Sequence, residues 1–233
     1  MLDTKKIKAI SLDLDDTLWP IAPVIARAEQ ALQDWLRPRA PQSAATLSDP
    51  GRRLALRQEI QSQRPDIGHD LGTLRREIIR RVLHLANEDT TLAEPAYEVF
   101  YAERQRVTLY EDALAALGWL SARFPLVAVS NGNADVARVG LGHLFKAGLS
   151  AQNMGIGKPD ARIFHAAAKA AGVQPGEVLH VGDDAALDVL GALGAGMQTA
   201  WLNRRALAWT HKELPHATIG SMTQLCQVLQ VNG

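Results

Sequence analysis

The stretch AISLDLDDTLWP, residues 9–20, decides how the rest of the sequence is interpreted. Its apolar first part is typical of a buried strand, and it ends in three acids, Asp13, Asp15 and Asp16. Side chains two positions apart on an extended chain point the same way, so the carboxylates of Asp13 and Asp15 are predicted to converge. Because like charges repel, such a pair needs a nearby cation unless one acid keeps its proton. A magnesium site therefore competes here with a plain, solvated turn.

The composition indicates a globular protein with a small-molecule partner. Of the 233 residues 47% are hydrophobic, and 25 basic residues balance 25 acidic ones. A neutral chain has no overall field that would attract nucleic acid or an anionic membrane, so we expect neither as a partner. The single cysteine, Cys226, excludes an internal disulfide and a multi-cysteine zinc site.

The sequence also predicts a cytoplasmic protein. No apolar run reaches the roughly 18 residues that a membrane span needs. The N-terminal apolar run is interrupted by Lys8 and stopped by Asp13, which makes it too short and too charged for a signal peptide.

Short apolar segments recur along the chain and alternate with helix-like stretches. The predicted strands cover residues 7–12, 126–130, 178–181 and 198–202. Strands that alternate with helices predict βαβ units, and hence an α/β fold with a doubly wound parallel sheet, a Rossmann-like core. The helices predicted for this core cover residues 111–123, 134–144, 161–171, 185–193 and 222–231.

The region between the first two predicted strands follows another pattern. It has no convincing strand, and its Leu, Ile, Val and Ala residues recur at helical spacing among many arginines. We predict helices at residues 23–36, 51–61, 70–86 and 92–106, and loops at 38–50 and 62–68, which are rich in Pro, Ser and Gly. The predicted domains are a core of residues 1–19 and 110–233 and an inserted helical domain of residues 20–109.

The second predicted strand ends in a hydroxyl and a tight turn. Ser130 is followed by Asn131 and Gly132, so an O–H and backbone N–H groups are available to hold an anion. An ordinary turn and helix cap explains the same residues, and for this motif alone it is the better interpretation. Lys158 precedes Pro159 at a predicted helix start, a suitable place for a cation that meets phosphate, although surface lysines before helices are common.

A further strand end supplies more acids. Asp183 and Asp184 follow Gly182, which lets the backbone turn sharply, and Asp188 lies one helical turn further on. Acids in a first helical turn also act as caps. If these residues were only independent caps, nothing would explain why two acid pairs, a hydroxyl turn and a lysine all follow strands of one sheet. The ends of the strands are where such sheets bind their ligands. We therefore predict a single site.

The motifs DLDDT, SNG, GKP and GDDAALD together resemble those of the haloacid dehalogenase superfamily of hydrolases. The resemblance covers essentially the whole chain and implies that the insert is a helical cap domain of the first type. It implies that Asp13 is the nucleophile and forms an aspartyl-phosphate. Asp15 would protonate the leaving alcohol and then activate water. Ser130 would hydrogen-bond the phosphoryl group, and Lys158 would neutralise it.

The same resemblance implies an Mg²⁺ cofactor. Its ligands would be Asp13, the backbone carbonyl of Asp15, and Asp183. The matched motifs add further supporting residues, namely Thr17, Asn131, Gly132, Asp184 and Asp188.

Asp15 favours a phosphatase within this superfamily. Relatives that cleave carbon–halogen bonds usually lack this acid, because a halide leaving group needs no proton. We therefore predict a magnesium-dependent phosphatase for a small phosphorylated metabolite. The stretches SNGN, HVGDD and DVLGALGAGMQTAW are similar to a flavin mononucleotide phosphatase subgroup. A 2-haloacid dehalogenase and a non-catalytic phosphate-binding protein are the alternatives, and the sequence is compatible with a monomer or a homodimer.

Two residues are candidates for substrate contact outside the matched core. Arg75, near the start of a predicted helix, offers a fork of donors suited to a planar anionic group, and a solvated helix face is the alternative. Trp19 is a candidate to pack on a ring of the substrate, and an aromatic buried at the hinge is the alternative.

Overall fold

The structure, a computed structural model, describes residues 1–231. The six strands are β1 (Ala9–Leu12), β2 (Leu126–Ser130), β3 (Ala147–Ser150), β4 (Val178–Gly182), β5 (Gln198–Leu202) and β6 (Ala217–Ile219). The α-helices are α1 (Ile21–Leu36), α2 (Pro41–Ser48), α3 (Pro50–Gln63), α4 (Leu71–Leu85), α5 (Ala93–Arg104), α6 (Ala113–Ser121), α7 (Ala151–Met154), α8 (Ala161–Ala171), α9 (Gly191–Gly194) and α10 (Met222–Val231). A π-helical segment, Ala185–Leu190, precedes α9. Single 3₁₀ turns lie at Thr4–Lys6, Pro65–Ile67, Thr90–Leu92, Gly142–Leu144 and Pro175–Glu177.

The chain divides into two compact units. One consists of Met1–Pro20 and the chain from Thr108 onward, and the other is Ile21–Val107.

The first unit is built on a parallel sheet with the strand order β3-β2-β1-β4-β5-β6. The predicted α/β fold with a doubly wound parallel sheet is confirmed. From β1 the chain moves outward to β3 and then returns to β4 on the other side of β1, so the order reverses between β1 and β4. In sheets of this kind, ligands bind in the crevice at the carboxyl ends of the two strands that flank the reversal.

The central strands are buried on both faces. Every residue of β1, β2, β4 and β5 is buried, which explains why these strands read as continuous apolar runs rather than as alternating ones. One face is covered by α8, whose Ile163, Phe164 and Ala167 form a cluster with Ala9 and Val127 from the sheet.

The edge strands β3 and β6 were not predicted. The sequence of β3 is AGLS and that of β6 is ATI, and both are only partly buried. An edge strand packs fewer neighbours than a central one, so it needs no long apolar run, and the signal used for the other four strands is missing.

Two further predictions for single elements were wrong. Residues 134–144 form turns and one 3₁₀ turn rather than a helix, and Gly140 has a φ of +87°, a left-handed conformation that ends regular helix. Residues 38–50 were predicted as a loop, but α2 begins there with Pro41 in its first turn and buries Ala44 and Leu47. Proline is well accommodated in a first helical turn, so here it marks a start rather than a break.

The second unit, Ile21–Val107, is helical and has its own apolar core. Along α1 the buried residues Ala28, Leu32 and Leu36 recur every four positions and face the core. Two helices start at aspartates that accept backbone hydrogen bonds, Asp49 for α3 and Asp70 for α4. Such caps satisfy amides that a helix start otherwise leaves unpaired.

A charged cluster is enclosed within this helical unit. Glu29 of α1 is 8% exposed, and its Oε1 accepts a hydrogen bond of 2.6 Å from Nη1 of Arg75 in α4. The Arg75 guanidinium also lies 4.3 Å from the ring centre of Phe100, and Nε of Arg53 lies 3.8 Å from the same Glu29 oxygen. Arg75 thus has a carboxylate and an aromatic ring as partners inside its own unit, an arrangement that favours a structural role over substrate contact.

We predict that Arg75→Met destabilises the protein by about 2 kcal/mol, because it removes the nearest cation from a buried carboxylate while Arg53 remains. Urea unfolding measures the change. The matched control is Arg80→Met on the same helix, whose partner Glu77 lies on the surface and whose loss should cost under about 0.5 kcal/mol. An Arg75→Met protein of unchanged stability but with a raised KM would instead assign Arg75 to the substrate.

Candidate active site

The loop that follows β1 carries the first acids of the site. The backbone N–H of Asp13 donates to the Val181 carbonyl of β4 at 2.9 Å, which fixes Asp13 at the end of the two central strands. The chain then turns through Asp16, which has a φ of +59°, a left-handed conformation that aspartate tolerates better than most residues. The turn is closed by a 2.7 Å hydrogen bond from the Asp16 N–H to the Trp19 carbonyl.

Trp19 contacts Asp15 directly. The indole N–H donates to Oδ1 of Asp15 at 2.8 Å, and the Trp19 side chain is fully buried. From the sequence, Trp19 was a candidate for stacking on a substrate ring or for burial at the hinge. Its contact in the structure is a hydrogen bond that orients one oxygen of Asp15.

The turn after β2 presents a serine hydroxyl and an asparagine. Oγ of Ser130 accepts a hydrogen bond of 2.9 Å from the Gly132 N–H, so its own O–H can donate to another group. Asn131 bonds both backbone groups of Lys158, accepting from its N–H at 2.7 Å and donating to its carbonyl at 2.8 Å. Asn131 therefore ties the lysine segment to the end of β2. The next helix, α8, starts at Ala161 with Asp160 as its cap, two residues after Pro159.

Lys158 lies between two buried carboxylates. Its ammonium donates to Oδ1 of Asp13 and to Oδ1 of Asp188, each at 2.5 Å, and all three side chains are at least nine-tenths buried. Buried charges persist only when they are paired and hydrogen-bonded. The structure thus brings the first, third and fourth motifs of the sequence together at one point.

Asp183 joins the same cluster. Carboxylate oxygens of Asp13, Asp183 and Asp188 all lie within 4.8 Å of one another. With Lys158 as the adjacent cation, the four groups carry a net charge of two negative units when all are ionised. Converging carboxylate oxygens and two uncompensated negative charges suit a hard divalent cation such as Mg²⁺. The residues present therefore fit the predicted metal.

The pKa values of these acids reflect their crowding. Burial, followed by repulsion from Asp188 and Asp16, raises the pKa of Asp183 to about 7. Burial also raises the pKa of Asp13 well above its usual range, and the Lys158 ammonium opposes this shift. Burial acts in the same direction on Asp188, but Lys158 and then the His180 hydrogen bond outweigh it and lower the pKa of Asp188 to about 2. The raised pKa values of Asp13 and Asp183 show that the surrounding positive charge is too small to stabilise both of these carboxylates in their ionised form.

The turn after β4 explains how Asp188 reaches the cluster. A Cβ added to Gly182 would lie 2.2 Å from Cγ of Asp188, so only glycine leaves room for this carboxylate. Oδ2 of Asp188 accepts the backbone N–H of Asp184 at 3.0 Å. The Asp184 side chain itself accepts from the amides of Ala186 and Leu187, each at 2.8 Å, and so caps the π-helical segment.

Thr17 and Trp201 both donate hydrogen bonds to Asp183. The Thr17 hydroxyl donates to the Asp183 carboxylate at 3.4 Å, and the Trp201 indole donates to its carbonyl at 2.8 Å. Beside Asp183 lies a small cavity of about 60 Å³, lined among others by Tyr110 and Arg205. Thr17 is one of the predicted supporting residues. Trp201, Tyr110 and Arg205 lie outside the four motifs, so the motifs did not predict them.

His180 and Ser11 also contact the site, although no motif predicted them. Both lie inside buried strands, directly opposite each other in the register of β4 and β1. The His180 ring bonds Ser11 at 2.8 Å and Asp188 at 3.2 Å. A histidine within the apolar run VLHVG was the available signal.

Comparison with known proteins assigns the chain to a family. The model of the haloacid dehalogenase-like hydrolases matches residues 7–196. The chain belongs to the haloacid dehalogenase-like hydrolase family. The predicted superfamily is thereby confirmed.

Proteins similar to this chain include some that are named as phosphatases and others that are named as dehalogenases. The chain is 32% identical over 232 residues to the 5-amino-6-(5-phospho-D-ribitylamino)uracil phosphatase YigB of Escherichia coli (strain K12), covering 96% of this chain and 97% of that protein. It is 34% identical over 160 residues to the phosphoserine phosphatase of Thermus thermophilus, covering 66% and 64%. A crystal structure named as a 2-haloacid dehalogenase, from Pseudomonas syringae pv. Tomato DC3000, has a TM-score of 0.91 and 37% identity, covering 97% and 100%.

The curated phosphatase relatives confirm the predicted enzyme class, a phosphoric monoester hydrolase of the haloacid dehalogenase-like family. Within the described residues, no helix combines the length and the apolar character that a membrane crossing requires.

We predict that Gly182→Ala disrupts the site. The new methyl group must displace either the Asp188 carboxylate or the strand end, so activity should fall at least about 100-fold and stability by about 1–3 kcal/mol. Phosphate release and urea unfolding measure the two effects. The control is Gly118→Ala in α6, where an added Cβ meets no atom within 4 Å and should be neutral or slightly stabilising. Equal behaviour of the two variants would contradict the role given to Gly182.

Proposed function

We propose that the protein is a magnesium-dependent phosphatase that hydrolyses a small phosphorylated metabolite through an aspartyl-phosphate on Asp13. The observation that carries the proposal is the buried Lys158 ammonium between Asp13 and Asp188, with Asp183 in the same cluster. A carboxylate can attack an anionic ester only where positive charge offsets the repulsion between them, and this cluster is arranged around such charge.

In the first step, the Asp13 carboxylate attacks phosphorus and the bond from phosphorus to the ester oxygen breaks. The alcohol leaves with a proton donated by Asp15. The Trp19 indole holds Oδ1 of Asp15, and we assign the proton to the other oxygen of the same carboxyl group. The covalent intermediate splits one difficult displacement into two easier ones.

In the second step, water attacks the phosphorus of the aspartyl-phosphate and gives up a proton to the Asp15 carboxylate. The bond from phosphorus to the Asp13 oxygen breaks, which releases inorganic phosphate and restores both acids. Asp15 thus acts first as a general acid and then as a general base, and the proton that it lost is regained from water.

Lys158 and Ser130 hold the phosphoryl group during both steps. Lys158 is already within hydrogen-bond distance of Asp13, so its ammonium accompanies the group that becomes phosphorylated. The Ser130 hydroxyl accepts from Gly132 and therefore has its proton available for a phosphoryl oxygen. Fixed donors of this kind stabilise the charge that develops in phosphoryl transfer.

Asp13, the backbone carbonyl of Asp15, and Asp183 are the residues that would hold Mg²⁺. When bound there, the ion supplies the positive charge that the cluster lacks and reduces repulsion between acid and ester. Asp188 supports these ligands rather than joining them, because both of its oxygens already accept hydrogen bonds. Oδ1 accepts from Lys158 and His180, and Oδ2 accepts from the Asp184 backbone.

The proposed substrate is flavin mononucleotide or a related sugar or nucleotide phosphate. The E. coli relative is named for a substrate with a phosphorylated ribityl chain, and flavin mononucleotide carries the same kind of chain. The helical unit Ile21–Val107 is proposed to act as the cap that selects the substrate. A cytoplasmic location and a monomeric or homodimeric state remain predictions.

We predict that the wild-type protein releases phosphate from p-nitrophenyl phosphate and that a metal chelator abolishes this release. Flavin mononucleotide, sugar phosphates and nucleotides then form a panel that ranks substrates by kcat/KM. Asp13→Asn should lower kcat by more than about 1,000-fold, because the amide is a poor nucleophile. Asp160→Asn, at the partly exposed cap of α8, should retain full activity. Substantial turnover by Asp13→Asn would contradict the nucleophile assignment.

We predict that Asp15→Asn lowers kcat by about 100- to 10,000-fold for an alkyl phosphate, whose leaving group needs a proton, and by less for p-nitrophenyl phosphate. Trp19→Phe removes one hydrogen bond to Asp15 and should act in the same direction but more weakly. Chloride release from 2-chloropropionate is measured in parallel. Chloride release without phosphate release from any ester would favour the dehalogenase alternative.

A further inference from the structure

We propose that His180, which is hydrogen-bonded to Ser11, is a positioning residue for the reaction. This inference rests on the proposed function. His180 does not touch the reacting atoms. It fixes the Asp188 carboxylate, and through Asp188 it fixes the Lys158 ammonium against the Asp13 carboxylate.

The contacts form one continuous chain. Oγ of Ser11 lies 2.8 Å from Nδ1 of His180, and Nε2 of His180 lies 3.2 Å from Oδ1 of Asp188. The same Oδ1 accepts from Lys158 at 2.5 Å, and Lys158 donates to Asp13 at 2.5 Å. The chain therefore runs from the interior of the sheet to the proposed nucleophile.

The strand register builds this chain. Ser11 of β1 and His180 of β4 are direct partners in the parallel ladder, so their side chains lie on the same face of the sheet. Asp13 follows Ser11 by two residues. The geometry of two adjacent strands thus sets the distance between the hydrogen-bonded pair and the acid.

The partners determine the tautomer of the ring. An Asp188 carboxylate can only accept, so Nε2 of His180 must carry the hydrogen. In the neutral ring Nδ1 then accepts, and the Ser11 hydroxyl donates to it. Ser11 thereby stabilises the tautomer that can donate to Asp188. In metal sites, a hydrogen bond at the second ring nitrogen fixes the tautomer and orientation of a ligating histidine in the same way.

The Ser–His–Asp order resembles a nucleophilic triad, but the burial excludes that use. Ser11 and His180 are each 1% exposed, and the His180 ring packs edge-on against Phe164 with 5.0 Å between ring centres. No substrate can reach the Ser11 hydroxyl inside the sheet. The remaining alternative to positioning is a core histidine that merely satisfies its own hydrogen bonds.

Positioning and core packing predict different effects of conservative variants. His180→Gln places an amide N–H where Nε2 was and keeps a donor for Asp188. His180→Leu has similar bulk but no donor, and in His180→Asn the amide nitrogen corresponds to Nδ1 and does not reach Asp188. All three lose the ring contact with Phe164.

The first experiment measures kcat, KM and thermal unfolding for these variants with p-nitrophenyl phosphate. We expect kcat about 10- to 100-fold below wild type for His180→Leu and His180→Asn, with a smaller change in KM, and a recovery of most of the loss in His180→Gln. The control is His165→Gln, an exposed histidine on α8, which should match wild type.

Equal kcat values for the Leu and Gln variants, whether low or high, would overturn the inference. If the Leu variant does not fold, the Gln and Asn variants make the same comparison, and equal values again overturn it. A wild-type protein that hydrolyses phosphate esters while these variants are indistinguishable contradicts this inference alone and leaves the proposed function intact.

The second experiment does not depend on activity. The ¹⁵N NMR resonances of the His180 ring, assigned by their loss in His180→Gln, should show a protonated Nε2 and an unprotonated Nδ1. Ser11→Ala should increase the share of the other tautomer. A ring protonated at Nδ1 alone would refute the proposed orientation of Asp188.

Discussion

The candidate active site depends on one buried ammonium, that of Lys158. Lys158 contacts two carboxylates from different parts of the chain, Asp13 after the first strand and Asp188 after the fourth, and each of the three side chains is at least nine-tenths buried. Removing such charges from water is costly unless each finds a partner. The cluster nevertheless contains more acid than base, so its charge is balanced only when a cation binds or some of the acids keep their protons. An excess of buried negative charge is consistent with a site that recruits a divalent metal.

The fold supplies the rigidity that this arrangement needs. The reversal of strand order between β1 and β4 creates a crevice, and the loops that follow these two strands line it. Backbone contacts then fix the individual groups. Asn131 holds both backbone groups of Lys158, and the absence of a side chain at Gly182 lets Asp188 approach. Functional groups supported in this way by strands and turns keep their geometry better than groups on free loops.

The family relationship alone does not determine the leaving group. A protein named as a dehalogenase and proteins named as phosphatases are similar to this chain at comparable identity. In the proposed function Asp15 distinguishes the two chemistries, since a proton donor would serve an alkoxide leaving group, whereas a halide needs none. The hydrogen bond from the buried Trp19 indole gives this acid a defined orientation.

The sequence by itself determined the α/β class, the four central strands, the presence of a helical insertion and the four motifs at strand ends. These features follow from local patterns: apolar runs, turn residues and the spacing of acids, all of which a reader of the sequence can detect. The edge strands β3 and β6 and the helix α2 escaped prediction because their short, mixed sequences gain regular structure from neighbours rather than from their own pattern.

Only the tertiary structure decided which partners each functional group has. The pairing of Lys158 with Asp188, the contact between Trp19 and Asp15, and the Ser11–His180 pair depend on strand register and on loop conformation. The same holds for Arg75, whose carboxylate partner Glu29 lies 46 positions away in the chain. A sequence records which charges and donors exist, but distance and burial fix their interaction energies, and both arise only when segments far apart in the chain pack together.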